Sequence, residues 1–183
     1  MFSPGTEILE FTSKKGNKIV LRFAENNDAK LLTKYINELS KEDTFVTFSG
    51  EDVSLDHERK FLEKLVADLE KGEGFLVLGM MGEELVAVGD IQRLEKRSKH
   101  AASMGISVKK EFRGEGVGYQ LINSLLEVAQ RISIQMIQLS VYAPNESAKK
   151  LYENVGFQEV GRIPKKILFH GELVDEIIMV KFL

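Results

Sequence analysis

Val108-Lys109-Lys110-Glu111-Phe112-Arg113-Gly114-Glu115-Gly116-Val117-Gly118-Tyr119 is the stretch that decides the fold. It follows a strand-like run, His100–Val108. It opens an amphipathic run with Leu121, Ile122, Leu125, Val128, Ala129 and Ile132 at helical spacing. Glycines let the backbone take positive φ and approach a ligand closely. The first N–H groups of a helix lack partners within it, and the helix dipole makes that end positive. Strand, glycine turn and helix start together suit a phosphate or pyrophosphate, with Arg113 as a fixed charge at the rim. A P-loop needs Gly-Lys-Ser/Thr after its last glycine, but Gly118 is followed by Tyr119-Gln120. The dinucleotide fingerprint also fails, because its third glycine would fall where Tyr119 or Leu121 stands. A glycine-rich turn with no ligand is the bland alternative.

Upstream, Ile8–Phe11 and Lys18–Phe23 are β-like runs around the turn Lys14-Lys15-Gly16-Asn17. Asn27-Asp28 caps a helix with Leu31, Leu32, Tyr35, Ile36 and Leu39 on one face. After the polar stretch Ser49-Gly50-Glu51-Asp52, Ser54 caps a second helix whose apolar face is Phe61, Leu62, Leu65, Val66 and Leu69. Gly72 closes it. Phe75–Met81 and Glu84–Gln92 flank the hairpin turn Gly82-Glu83. Downstream, Ile134–Tyr142 reads as a strand, Asn145–Val155 as a helix, Phe157–Ile163 as a strand and Ile167–Lys181 as a final strand region. The middle alternates strand and helix, which implies parallel pairing, while the flanks read as antiparallel. The expected class is α/β, a mixed sheet with helices on both faces. No linker or repeat interrupts residues 1–183, so a single domain is expected.

Composition narrows the function. With 183 residues and no cysteine, disulfides, a thiol nucleophile and Cys-containing zinc sites are excluded. Three separated histidines, His57, His100 and His170, make a His-rich metal site unexpected. The net charge of −3 leaves no global basic field, so nucleic acid is not an expected partner. The longest apolar stretches are too short to span a bilayer, and the start lacks a signal-peptide pattern. No membrane partner and a cytoplasmic location are expected.

The segment Arg113-Gly114-Glu115-Gly116-Val117-Gly118 resembles the R/Q-x-x-G-x-G/A acyl-CoA signature of the GNAT superfamily of N-acetyltransferases. A second segment, Asn145-Glu146-Ser147-Ala148-Lys149-Lys150-Leu151-Tyr152-Glu153-Asn154-Val155-Gly156-Phe157, is similar to the family's N-x-x-A-x-x-L-Y-x-x-x-G-F element. Met104–Val108 resembles the strand that enters the loop. The stretch from Phe169-His170-Gly171-Glu172 to Met179 is similar to the closing hairpin of many small members. The match covers Ile19 to the C-terminus.

This resemblance implies a GNAT-like fold, with a mixed, mostly antiparallel sheet and a splayed parallel pair, His100–Val108 and Met136–Tyr142. It implies acetyl-CoA as acetyl donor, without metal. Backbone groups of Ile106 and Val108 would line the pantetheine arm and hold the thioester oxygen. Arg113 and the N–H groups of Gly114, Glu115, Gly116, Val117, Gly118 and Tyr119 would take the pyrophosphate. Asn145 would bond the pantetheine arm, or serve as a helix cap. Lys149 and Lys150 would meet the 3′-phosphate, or form a solvated helix face. Tyr152 is implied as general acid, because a phenol with pKa near ~10 protonates a departing thiolate without being ionised itself at neutral pH. A packing tyrosine is the alternative.

The base is the point of departure from the family. Many members carry a Glu two residues ahead of the strand's Gly. Aligned on Gly105, that position is Ser103, and serine cannot serve as a base unaided. Asp90, Glu42, Asp43 or a chain of ordered waters are the candidates. Asp90 interrupts an apolar strand, so it faces either a site or solvent. The acidic stretch Glu51-Asp52, with Asp56 and Glu58, steers a cationic amine or serves the helix start. The expected activity is transfer of an acetyl group to a primary amine of a small molecule or protein N-terminus, in a ternary complex. The alternative is a non-catalytic acyl-CoA-binding module of the same fold. A homodimer through the Ile167–Lys181 region is a further expectation.

Overall fold

In the computed structural model, which describes residues 2–42, 45 and 52–183, the chain forms two compact units. One is Met1–Gln92 with Gly105–Leu125. The other is Arg93–Met104 with Leu126–Leu183. The chain is mixed α/β, with eight strands and four α-helices among the described residues.

The first unit begins with the hairpin β1 (Glu7–Thr12) and β2 (Lys18–Phe23), then α1 (Ala29–Lys41) and α2 (Leu55–Lys71). A second hairpin follows, β3 (Gly74–Met81) and β4 (Glu84–Arg93). The later half of β5 (Ala101–Val108) and the start of α3 (Val117–Arg131) complete the unit. Its strands lie in the order β1-β2-β3-β4-β5. Register then decides which side chains meet which helix. Leu76 and Leu78 of β3 stand opposite Asp90 and Val88 of β4, and Val77 stands opposite Gly89. Leu76 and Leu78 join Leu32, Tyr35, Leu39, Leu62 and Leu65 in one buried cluster, the side covered by α1 and α2. Gly89 points the other way, because a Cβ there would meet Leu125 at 2.9 Å and Leu121 at 3.0 Å. Helices therefore cover both faces of this unit's strands. Each such Leu contributes about 1.5–3 kcal/mol by leaving water.

The helix ends follow their sequence cues, with one exception. Ser54 Oγ accepts the His57 N–H, and Gly72 closes α2 at φ 71°. Asp28 is the N-cap residue of α1, but its side chain takes Arg22 bidentately at 2.8 and 2.6 Å and accepts the Glu25 N–H rather than an N–H of α1. The guanidinium reaches it from β2, six residues upstream, and charged bidentate bonds are stronger than bonds to peptide N–H groups.

The second unit carries the first half of β5, then β6 (Met136–Tyr142), α4 (Glu146–Asn154), β7 (Gln158–Phe169) and β8 (Glu172–Phe182). Its strands lie in the order β5-β6-β8-β7. β5 and β6 pair in parallel from Ala101↔Met136 to Ser103↔Gln138, and β8 runs antiparallel to β6 and β7. Val128, Ala129, Ile137, Leu139, Phe157, Ile177 and Met179 are buried here. The sequence reading ends a strand at Ile163, before Pro164. The backbone instead carries β7 through Pro164 with a register shift between Ile163 and Ile167 and Lys165 at φ 55°. β7 is an edge strand, where a missing N–H is tolerated. The turn falls at His170-Gly171, both at positive φ.

Candidate functional site

From Val108 the chain makes a short 3-10 turn, Lys110–Phe112, passes through extended Arg113 and enters α3 at Val117. Gly114 and Gly116 sit at φ 76° and 91°, and a Cβ on either would meet nothing within 4 Å. Backbone conformation, not crowding, demands glycine there. Phe112 and Val117 are buried and anchor the two ends of the turn. The α3 ladder opens with Gln120 N–H on Gly116 O at 3.1 Å, so the preceding N–H groups lie outside it. Tyr119 is exposed on the first turn of α3.

Two side chains of the turn are turned to other work. Glu115 is buried and accepts from Ser13 Oγ (2.7 Å) and Asn17 Nδ2 (3.2 Å), with Lys15 Nζ at 2.7 Å. Lys15 and Ser13 hold its carboxyl below the usual carboxylate range. Lys14 N–H also donates to Glu115 O at 3.1 Å. The β1–β2 hairpin thus buttresses the turn. Arg113 Nε donates to Val108 O at 2.8 Å, and its Nη2 meets Glu42 Oε2 at 2.5 Å. Its charge is countered by Glu42 rather than standing alone at the rim.

The backbone of β5 leads into this turn, with Ile106 and Val108 half-buried. The bonds Leu94 N–H to Ala101 O and Lys109 N–H to Val86 O fix one antiparallel register between β4 and β5. That register sets Asp90 directly opposite Gly105. A Cβ on Gly105 would meet Asp90 Oδ1 at 3.0 Å. Asp90 is half-buried, and burial alone pushes its carboxyl from 3.8 up to about 6. It lies on the α1 and α2 side, not in open solvent. Two residues on, Ser107 Oγ and Tyr35 Oη are 2.9 Å apart. Tyr35 is buried, which raises its pKa. Lys109 closes the strand end between Glu38 (2.7 Å) and Glu84 (3.0 Å). Glu58, in the first turn of α2, is buried, and among the described residues its Oε1 has no partner. Asp43, Ser49, Gly50 and Glu51 lie outside the described residues.

In the second unit Asn145 caps α4, its Oδ1 accepting from Ala148 N–H at 3.2 Å and Ser147 Oγ at 3.1 Å. Lys149 pairs with Glu146 at 3.1 Å, and Lys150 is exposed. Tyr152 is buried, its ring edge-on to Phe157 at 5.9 Å. His57 is exposed on α2, His100 accepts Gln135 N–H at its peptide oxygen, and His170 sits in the β7–β8 turn.

The sequence reading names the residues of the turn and misses the contacts that hold the turn and β5. Ser13–Glu115, Tyr35–Ser107 and Glu42–Arg113 join residues 102, 72 and 71 positions apart, and no local pattern announces them.

Comparison with known proteins bears on the family and the fold. Residues 33–157 match the model of the acetyltransferase (GNAT) family. An L-amino acid N-acetyltransferase of Escherichia coli is 32% identical over 93 residues, 50% of this chain and 57% of that protein. The chain spans about half the length, or less, of the curated relatives it matches. A GNAT-family acetyltransferase from Streptococcus pneumoniae superposes with a TM-score of 0.83 at 25% identity, over 90% of this chain and 99% of that one. A Salmonella typhimurium acetyltransferase solved with its cofactor acetyl-CoA superposes with a TM-score of 0.78 at 17% identity, over 90% and 94%.

Proposed function

The chain belongs to the GNAT acetyltransferase family, and on that premise we propose that it is an acetyl-CoA-dependent N-acetyltransferase acting on a primary amine. The observation that carries the reading is the turn Gly114–Tyr119: two glycines at positive φ ahead of a helix whose first N–H groups lie outside its ladder. Such a start takes a pyrophosphate. In this reading Arg113 and the N–H groups from Gly114 to Tyr119 hold the pyrophosphate. The backbone of Ile106 and Val108 holds the acyl end, and Asn145 and Lys150 serve the rest of the carrier.

Transfer is direct. The neutral amine attacks the thioester carbon, the C–N bond forms as the C–S bond breaks, and Tyr152 protonates the leaving thiolate. A Cys acetyl-enzyme has no residue to form on, since the chain has no cysteine. The amino-acid relative supports an α-amino group as the first acceptor to try, with small amines and peptide N-termini beside it. Calorimetry with acetyl-CoA followed by a thiol-release assay across such an amine panel tests the proposal. Ser103, at the family's Glu position, favours the second reading, an acyl-CoA-binding module without turnover. Binding with no thiol release on any acceptor would establish it. We extend the proposal to a homodimer through the β7–β8 hairpin, whose facing residues Leu168 and Leu173 are both exposed. Light scattering showing monomer alone would remove it.

A further inference from the structure

We propose that Asp90 is the proton acceptor of the transfer reaction, a carboxylate on β4 in place of one on β5. The inference rests on the acetyltransferase reading above. Its ground is geometric. Asp90 stands opposite Gly105, the one position of the neighbouring strand with no side chain, and its Oδ1 comes within 3.0 Å of where a Cβ would be. Any larger residue at 105 would meet the carboxylate. The missing side chain leaves that flank of Asp90 uncovered.

Asp90 is also without a structural partner. Among the described residues its carboxylate has no hydrogen bond or ion pair, whereas Asp28 and Glu115, two buried acids of the same unit, are each held by two or more donors. Of the titratable groups on the elements around it, Tyr35 of α1 meets Ser107, and Lys109 is held by Glu38 and Glu84. None shifts Asp90, which responds to burial alone. A half-buried acid with no partner costs stability and has no structural return. The same isolation keeps it ionised but basic near neutral pH, the condition a general base needs.

The protons balance as follows. The ammonium form of the acceptor loses one proton to water and enters as the neutral amine. As the C–N bond forms, the nitrogen sheds a second proton to an Asp90 oxygen, and Asp90 returns it to solvent. The C–S bond breaks, and the thiolate takes a proton from Tyr152, which solvent restores. One proton is released per turnover.

The test compares wild type with Asp90→Asn and Asp90→Glu on a strongly basic alkylamine and on a weakly basic acceptor such as hydroxylamine or aniline. The nitrogen of a weakly basic acceptor surrenders its second proton to water without help. Asp90→Asn should lower kcat/KM for the alkylamine by about 10²-fold or more. The deficit should shrink markedly for the weakly basic acceptor, and Asp90→Glu should recover part of the rate. Acetyl-CoA binding by calorimetry should be unchanged. The wild-type limb of kcat/KM that rises near pH 6 should vanish in Asp90→Asn. Wild-type turnover with an unimpaired Asp90→Asn, or a deficit equal on both acceptors, overturns the inference alone. No turnover by wild type on any acceptor overturns the acetyltransferase reading and this inference with it.

Discussion

Ser13 Oγ donates to the Glu115 carboxylate at 2.7 Å, and through this bond a hairpin 102 residues upstream holds the glycine turn. Lys15 and Asn17 reach the same carboxylate. Ser13→Ala leaves a buried acceptor short of a donor and should cost about 1–2 kcal/mol in urea unfolding. Acetyl-CoA affinity should fall with it, because the N–H groups of the turn lose their fixed orientation. The Glu115 pKa is lowered in the folded state, so its contribution is present above the unfolded carboxylate pKa and is lost as pH falls through the folded value. Carrier binding should therefore weaken on acidification below the usual carboxylate range, and calorimetry across that range checks it.

Arg113 and Glu42 form a second test. The Arg113 guanidinium is already engaged at 2.5 Å by Glu42 Oε2. A phosphate arriving at the turn competes with that carboxylate or shares the arginine with it. Glu42→Gln should tighten coenzyme A binding by roughly threefold to tenfold, about 0.7–1.4 kcal/mol. Arg113→Ala should weaken it. Both effects should shrink as salt is raised, since the pair is partly exposed. Equal affinities in wild type and Glu42→Gln would place the phosphates elsewhere.

Tyr152→Phe tests the acid. The ring stays packed edge-on to Phe157 without its hydroxyl. If the phenol supplies the thiolate's proton, kcat should fall by about 10²–10⁴-fold while acetyl-CoA affinity survives. Unchanged turnover assigns Tyr152 to packing alone.

These residues divide by what made them legible. The turn and α4 could be read because their chemistry is local. Glycines demanding positive φ stand next to the helix they open, and Asn145 stands three residues before the N–H it caps. Asp90 was visible as a charge interrupting an apolar strand, but its direction was not. Only the pairing of β4 with β5 turns it toward Gly105, and pairing is a long-range property. The strand end at Ile163 was illegible for the same reason. Pairing with β8 carries β7 on to Phe169, and as an edge strand it tolerates Pro164.

Arg22 and Asp28 are a structural pair and predict a stability effect without a direct catalytic one. Both are largely buried, and the fork is bidentate. Removing one partner strands the other charge, so Arg22→Ala should cost about 3–5 kcal/mol. Denaturant midpoints would show it. Replacing the pair together by apolar residues should cost far less than either single change.

Two carboxyls work against folding at neutral pH, and their sign is opposite to that of Glu115. Burial raises the Asp90 carboxyl from 3.8 to about 6, and burial raises Glu58 as well. A group whose folded pKa is raised binds its proton more tightly in the folded state. The stability it contributes is therefore complete below the unfolded pKa and is lost as pH rises through the folded value. For Asp90 that window runs from about 4 to 6, and the ionised form costs up to about 3 kcal/mol above it. Asp90→Asn should raise the melting temperature at pH 7.5 and lose most of that advantage near pH 4. Glu58, with Oε1 unpartnered, should behave alike, and Glu58→Met should stabilise by about 1–3 kcal/mol. The two variants part on activity. A gain in stability together with a loss of turnover at Asp90 is what a carboxylate kept for chemistry should give. A gain in stability with full turnover at Asp90 would leave it a buried acid without a task.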